Sequence, residues 1–415
     1  MHIIFVTCEF VTEKKPCGGL GHYLANISRI LAEKGHRVTI LIITNHDQIV
    51  TWEDNITVVA FKHKQIDRKK GINKYIDLME CISQDDFWKK LKGYLNGSWE
   101  INDKIREINE IMHVDIIQYW GNSMAVWHRP KSIPCVVRFS EFGPWYAQAS
   151  RPETSMEDMS WLNTLESRFL LYSFLKADAV YGPSNVVVQI VRKKLGKNVR
   201  VIESPCVLND NMVKGDVISE LKGKKYLLSF GRISILKGFG VIKEAIYEIL
   251  EKHPQFIYAL AGREETPNLL HEIEIAAGKY RDRILYLGNI RDVDKLYSII
   301  KGAYACVLPS RADNLPNACI EAMGLGKIVI GTYGASFEQL IKHKENGILI
   351  KRDSPKALLK AIDYLMELTE EERIKMGEKA KERVAKMSPE IIYGQLISFY
   401  KEVIEKKYLR KGFKR

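Results

Sequence analysis

Asp313 and Glu321 flank the predicted start of a helix in the segment 309–331, PSRADNLPNACIEAMGLGKIVIG. The apolar run Ala305-Cys306-Val307-Leu308 predicts a central strand, 309–316 the loop at its carboxyl end, and 318–324 a helix opened by Asn317. Open parallel sheets bind ligands at that edge. Free N–H groups at the helix start attract a phosphate, and a carboxylate one or two turns in accepts hydrogen bonds from sugar hydroxyls. Together the two chemistries suit a nucleotide-sugar. The competing reading is that Asp313 and Asn314 only cap the helix and Glu321 is solvated on its outer face.

A second segment shifts the balance toward a ligand. A predicted strand at 226–230 ends in Gly231-Arg232, and Lys237-Gly238 precedes a helix at 241–252. Two fixed cations thus flank another strand-to-helix turn. The planar Arg fork can clamp phosphate oxygens while Lys acts beside it as a point charge, which suits a diphosphate. The spacing is not that of a Walker loop, which needs Gly-x-x-x-x-Gly-Lys-Ser/Thr.

With Gly18-Gly19-Leu20-Gly21, Leu260-Ala261-Gly262 and Leu287-Gly288-Asn289 added, these segments resemble the donor-site motifs of family 4, the large retaining glycosyltransferase family with the GT-B fold, over nearly the whole chain. In that family the paired acids are most often both Glu, separated by seven residues. Here seven residues separate Asp313 from Glu321, with Asp in first place.

The resemblance implies a retaining glycosyltransferase that moves a sugar from a nucleotide-diphosphate-sugar, UDP- or GDP-linked, to a glycan or lipid-linked glycan in cell-surface polysaccharide synthesis. It implies an α/β GT-B fold: two Rossmann-like, doubly wound parallel-sheet domains facing across a cleft. Arg232 and Lys237 would hold the diphosphate, Gly231 and Gly19 would let backbone approach it, and Glu321 would hold the ribose. Asp313 and the loop Asn314, Leu315, Pro316, Asn317 and Ala318 would face the transferred sugar and its phosphate, and Gly288, Asn289 and Ile290 the base. Arg232, Lys237 and Asp313 would carry catalysis. Where the family often has a histidine touching the donor sugar, this chain has Ser140 followed by Glu141. Either side chain can hydrogen-bond a sugar hydroxyl, or both only end a strand. Front-face attack is the mechanism the resemblance implies, with a covalent intermediate as the alternative.

Negative charge grows on the leaving diphosphate in an oxocarbenium-like transition state, and two cations with a helix N-terminus can neutralise it. No metal or other cofactor is therefore expected. Asp292-Val293-Asp294 looks like a metal-binding Asp-x-Asp, but its place before a helix predicts an N-terminal cap. An NAD site would want Gly-x-Gly-x-x-Gly, which Gly19-Leu20-Gly21 starts and Leu24 does not complete. His22 is read as a helix-surface or acceptor-side residue.

The elements that must position these residues follow from periodicity. Strands at 2–7, 37–43, 57–61, 116–119, 135–139, 179–181 and 199–202 alternate with helices at 23–34, 85–112 and 161–175, and strands at 226–230, 256–260, 284–287, 305–308, 328–330 and 347–350 repeat the pattern. The expected division is 1–205, an acceptor-binding domain joined by return helices at 389–415, and 206–388, a nucleotide-sugar-binding domain. Pro, Asn and Gly near 204–224 mark the boundary.

With 46% hydrophobic and 27% charged residues, the composition is that of an ordinary globular protein, and 415 residues exceed one core. No stretch approaches a membrane span or a signal segment, so a cytoplasmic place is expected. Seven scattered cysteines without a Cys-x-x-Cys pair read as reduced and buried. The net charge of +12 is spread among interspersed acids, which argues against nucleic acid as partner and for peripheral contact with an anionic membrane or an anionic substrate. Basic and aromatic residues at 63–70, Trp88, Tyr94, Trp99 and 142–146 are the candidate acceptor surface. The alternatives are a nucleotide-sugar epimerase or phosphorylase on the same scaffold, or a non-catalytic nucleotide-sugar-binding subunit.

Overall fold

The computed structural model describes residues 1–412 except 14–17, 65–71, 84–85, 122–123, 141, 197–198 and 209–217. Cys17, Glu141, most of 63–70 and much of the 204–224 boundary therefore lie outside the described residues. The chain forms two compact units: residues 1–144, 159–205 and 389–415, and residues 145–158 with 206–388.

The first unit is built on an eight-stranded sheet. β1 (His2–Thr7) is apolar throughout its centre and fully buried, as a strand covered on both faces must be. Around it lie β2 (Arg37–Thr44), β3 (Gln48–Glu53), β4 (Ile56–Lys62), β5 (Ile116–Trp120), β6 (Cys135–Arg138), β7 (Ala179–Gly182) and β8 (Arg200–Val201), in the order β3-β4-β2-β1-β5-β6-β7-β8. All neighbours are parallel except β3, which pairs antiparallel with β4. This edge strand is absent from the sequence reading, because Ile49 and Val50 point to solvent and show no buried run. Helices α1 (Gly19–Glu33), α2 (Ile72–Ile82), α3 (Asp86–Ile111), α4 (Gly143–Ala149), α5 (Leu165–Phe174) and α6 (Asn185–Leu195) follow. The single helix expected at 161–175 is split: residues 160–163 form a 3-10 turn, and Thr164 then caps α5 by accepting from Ser167 N.

The second unit carries a wholly parallel six-stranded sheet: β9 (Lys225–Phe230), β10 (Phe256–Ala261), β11 (Ile284–Tyr286), β12 (Ala305–Val307), β13 (Val329–Thr332) and β14 (Ile348–Ile350), in the order β11-β10-β9-β12-β13-β14. Leu227 and Leu228 point into separate apolar clusters, one on each face of the sheet. The helices are α7 (Phe239–Lys252), α8 (Leu269–Ala276), α9 (Val293–Gly302), α10 (Asn317–Gly324), α11 (Pro355–Glu367) and α12 (Glu370–Ala385).

The C-terminal α13 (Pro389–Gly412) belongs to the first unit, where Ile392, Leu396, Phe399 and Tyr400 join the core of Ile3, Phe5 and Tyr181. Tyr400 donates to Gln118 Oε1 at 2.6 Å, so a buried polar bond fixes the register of that packing. Residues 145–158 depart from the sequence division: they group with the second unit although they sit within the stretch 1–205. A buried arginine, described below, bonds this stretch to the loop after β12.

Candidate functional site

The order of the second sheet reverses between β9 and β12, so the loops leaving those two strands flank a topological switch point, where open α/β sheets bind ligands. The two loops are interlocked. Arg311 N donates to Leu236 O at 2.9 Å, and a Cβ at Gly238 would run into the Pro309 carbonyl. Gly238 also sits at φ +78°, which a side chain disfavours, and it opens α7. On its other side the β9 loop is held by Ile233 N to Arg263 O at 2.9 Å and by Gly231 N to Ala261 O at 2.9 Å. The path continues through Gly262 N to Gly288 O at 2.8 Å, which places Gly288 beside it. Gly231, Gly262, Gly288, Asn289 and Ile290 thus belong to one run of loops along the carboxyl edges of β9, β10 and β11.

Within that frame Lys237 Nζ forms an ion pair with the Asp313 carboxylate. Asp313 is buried, as are Ser310, Arg311, Asn314 and Leu315, so the whole loop after β12 is packed rather than solvated. A buried loop exposes no backbone group without a partner, and here Thr332 Oγ1 donates to Ser310 O while Ser310 N reaches Leu308 O at 2.9 Å. Asp313 therefore does not cap the helix; it faces a cation.

Arg232 differs from expectation. The sequence reading pairs it with Lys237 on one diphosphate, but its Nη1 is held by both oxygens of Glu265, at 2.9 and 3.1 Å, on the exposed side of the turn. The loop 262–266 runs alongside 231–235 through Ile233, and this brings Glu265 to Arg232. Spacing along the chain gives no sign of that neighbour.

Glu321 lies one turn into α10 and is half-buried rather than solvated on an outer face, and loss of water pushes its carboxyl up to about 7. Tyr297 of α9 and Cys206 feel its charge, though burial is the main reason both are raised. The helix begins at Asn317, with Pro316 at the cap position and no side chain capping the first turn. Asn317 is thus the first helical residue and not the cap; Pro316 imposes the extended entry. Asn317 and Ala318 are half-buried at that start.

Two expected donor contacts belong to the first unit. Gly19 is the first residue of α1, which starts four residues before its predicted beginning at Tyr23. Two N–H groups at this helix start already have an acceptor: the Glu9 carboxylate takes Gly18 N at 3.0 Å and Gly21 N at 2.9 Å. An acid nine residues upstream takes the place predicted for a phosphate, and only folding brings it there. Ser140, following β6, accepts from the Arg138 guanidinium.

Arg311 is the residue that sequence reasoning missed. Its guanidinium is buried and uses four of its five N–H donors, with Nε on Asp353 at 2.8 Å, Nη1 on the carbonyls of Ala149 and Arg151 at 3.0 and 2.5 Å, and Nη2 on that of Thr154 at 2.6 Å. It therefore ties residues 145–158 to the loop that carries Asp313. Its adjacency to Asp313 was the one available signal.

Asp292 caps α9, accepting from Asp294 N and Lys295 N at 3.0 and 3.2 Å. Among the described residues no three His, Cys, Asp or Glu side chains cluster as metal ligands would. Cys135, Cys206, Cys306 and Cys319 are buried, with burial pushing the Cys135 and Cys306 thiols up to about 12. Cys8 and Cys81, against expectation, are exposed.

Residues 216–383 match the family described as glycosyl transferases group 1. A lipopolysaccharide core biosynthesis mannosyltransferase of Rhizobium meliloti is 28% identical over 150 residues, 35% of this chain and 42% of that protein. The chain spans about two fifths of the length of the curated relatives it matches. Sucrose-phosphate synthase from Thermosynechococcus elongatus shares the fold with a TM-score of 0.73 at 17% identity, covering 98% of this chain and 99% of that one. Anabaena HepE, in complex with UDP and glucose, does so with a TM-score of 0.65 at 16% identity, covering 97% and 100%. The second unit thus carries a glycosyl transferases group 1 domain, an enzyme domain, and the α/β architecture with two parallel-sheet units is that of GT-B structural neighbours.

Proposed function

We propose that the protein is a metal-independent, retaining glycosyltransferase of family 4 that moves a sugar from a UDP- or GDP-linked donor to a glycan or lipid-linked glycan. The observation that carries this reading is the Lys237–Asp313 pair at the β9/β12 switch point of a group 1 domain. Lys237 lies where charge develops on a leaving diphosphate, and a fixed cation in a packed loop stabilises it without reorganising. Arg232 joins it by exchanging Glu265 for phosphate oxygens, and the uncapped start of α10 offers N–H groups to the same anion. Asp313 orients Lys237 and faces the sugar, Glu321 accepts the ribose hydroxyls, and the run Gly288, Asn289 and Ile290 borders the base. With leaving-group charge met by protein cations, the departing phosphate oxygen takes the acceptor hydroxyl's proton on the front face, which retains configuration.

An acceptor at a membrane surface is favoured by α2, whose residues Tyr75, Leu78 and Ile82 form one outward stripe, 71%, 56% and 69% exposed. Lys74 flanks the stripe, while the acid Asp77 turns away to pair with Lys92 at 2.7 Å. An apolar stripe with one flanking cation, on a chain of net charge +12, suits an anionic lipid surface, although Glu80 on the same helix is also exposed. Among the described residues no helix is long and apolar enough to cross a membrane, so the contact proposed is peripheral, from the cytoplasmic side.

Incubation with a panel of labelled nucleotide-sugars in excess EDTA tests the reading. Transfer or slow hydrolysis of one UDP- or GDP-sugar, with NMR showing the donor's anomeric configuration in the product, is expected. Interconversion of the free donor would mean an epimerase, and binding without turnover a non-catalytic subunit. Activity lost in EDTA and restored by Mn²⁺ would overturn the metal-independent electrostatics.

A further inference from the structure

We propose that the first unit holds a second oxyanion site, built on Arg138, which receives a phosphate or carboxylate group of the acceptor. Arg138 ends β6 at the carboxyl edge of the first sheet, one strand away from the β1/β5 switch point. It is 3% exposed. Its Nη1 donates to Ser140 Oγ and its Nη2 to Ser204 Oγ at 3.1 Å, and its guanidinium carbon lies 3.5 Å from the centre of the Tyr23 ring. Every one of these partners is neutral. Among the described residues its buried Nε has no hydrogen-bond partner.

A buried cation is costly unless a counter-charge and hydrogen bonds compensate it. Two other arginines have such a counter-charge: Arg311 has Asp353 at 2.8 Å and Arg129 has Asp178 at 3.0 Å. Among the described residues Arg138 has no carboxylate in an ion pair. Ring and hydroxyls hold the guanidinium in place, yet they leave its charge and three of its five N–H donors unmatched. A rigid fork held this way, short of one negative charge, is prepared for a bidentate oxyanion. Ser140, one of the hydroxyls on the fork, is half-buried.

The charge argument stands on the first unit alone. The assignment to the acceptor rests on the transfer reading, in which the nucleotide is held by Lys237, Asp313 and Glu321 of the second unit. A sugar phosphate, a lipid-linked sugar phosphate and a uronic acid share the required group.

Calorimetric titration of the full chain with inorganic phosphate, and with acetate as the carboxylate probe, tests the site with and without saturating UDP or GDP. Binding of one probe that persists when the nucleotide is present, and that weakens at least tenfold in Arg138→Gln with nucleotide affinity unchanged, is expected. Arg138→Lys, which keeps the charge and loses the fork, should fall between. If the Gln variant does not fold, the Lys variant and Ser204→Ala carry the same comparison. The proposal is overturned if neither probe binds, if the variants bind as the wild type does, or if UDP and GDP displace the probe, since the anion would then be the donor's own diphosphate. Loss of nucleotide binding or turnover with the anion site intact would count against the transfer reading and not against this one.

Discussion

At the scale of single residues, charge in a packed loop separates function from packing. Lys237 and Asp313 neutralise one another in the absence of ligand, so the pair is held ready without an uncompensated buried charge. Lys237→Ala should lower kcat/KM by about two to three orders of magnitude, the usual scale for one preorganised partner of a developing anion. Turnover near normal in a correctly folded variant would remove Lys237 from the diphosphate. Glu321 gives a pH signature. Its carboxyl titrates near 7 in the folded chain, above the ordinary carboxylate range, so the folded state holds the proton more tightly than the unfolded one. Stability should therefore fall as pH rises through that window, by on the order of 1–3 kcal/mol at pH 8. Glu321→Gln should melt higher than wild type at pH 8 and level with it at pH 4, while binding UDP or GDP about 1–3 kcal/mol more weakly at pH 8. Comparing variant with wild type at each pH cancels the ligand's own ionisation. Equal nucleotide affinity across pH 6–8 in both proteins would return Glu321 to a packing role.

At the scale of elements, the site is a junction of two strand-to-helix loops, and its precision comes from backbone contacts. Gly238 stands at a left-handed φ with the Pro309 carbonyl in the space a side chain would fill. Gly238→Ala should force the β9 and β12 loops apart, costing about 2 kcal/mol or more and lowering activity well beyond the loss of stability. Thermal melting with kinetics at a temperature where the variant stays folded checks this. Unchanged melting would mean that the loops are not locked there. Arg311 works at the same scale, with one guanidinium closing the loop of Asp313 against Asp353 and three carbonyls of 149–154.

At the scale of the whole molecule, the formal charge of +12 and the α2 stripe predict where the protein works. It should float with vesicles containing anionic lipid, release at high salt, and ignore zwitterionic vesicles, because screening removes the electrostatic half of the attraction. Leu78→Ser with Ile82→Ser should cut vesicle binding at least tenfold and leave turnover on a soluble acceptor unchanged. If the double variant instead changes the oligomeric state in light scattering, α2 is a contact between copies of the chain.

Much of this protein was legible in its sequence because the signals are local. The strands β1, β9 and β12 are apolar runs, the glycines at 231 and 238 mark tight turns, and Asp292 lies just ahead of the helix that it caps. Seven residues between Asp313 and Glu321 likewise place both acids about a helix start without any knowledge of the rest. What the tertiary structure alone decided is who stands opposite whom. Glu265 on Arg232, Glu9 on the start of α1, Arg311 on residues 149–154 and Arg138 on Ser204 are all pairings between segments set apart in the chain. Sequence periodicity records which face of an element is apolar, but a charge's partner depends on how the loops of neighbouring strands meet. That is fixed by the sheet order and by backbone contacts such as Gly238 on Pro309, to which no local pattern corresponds.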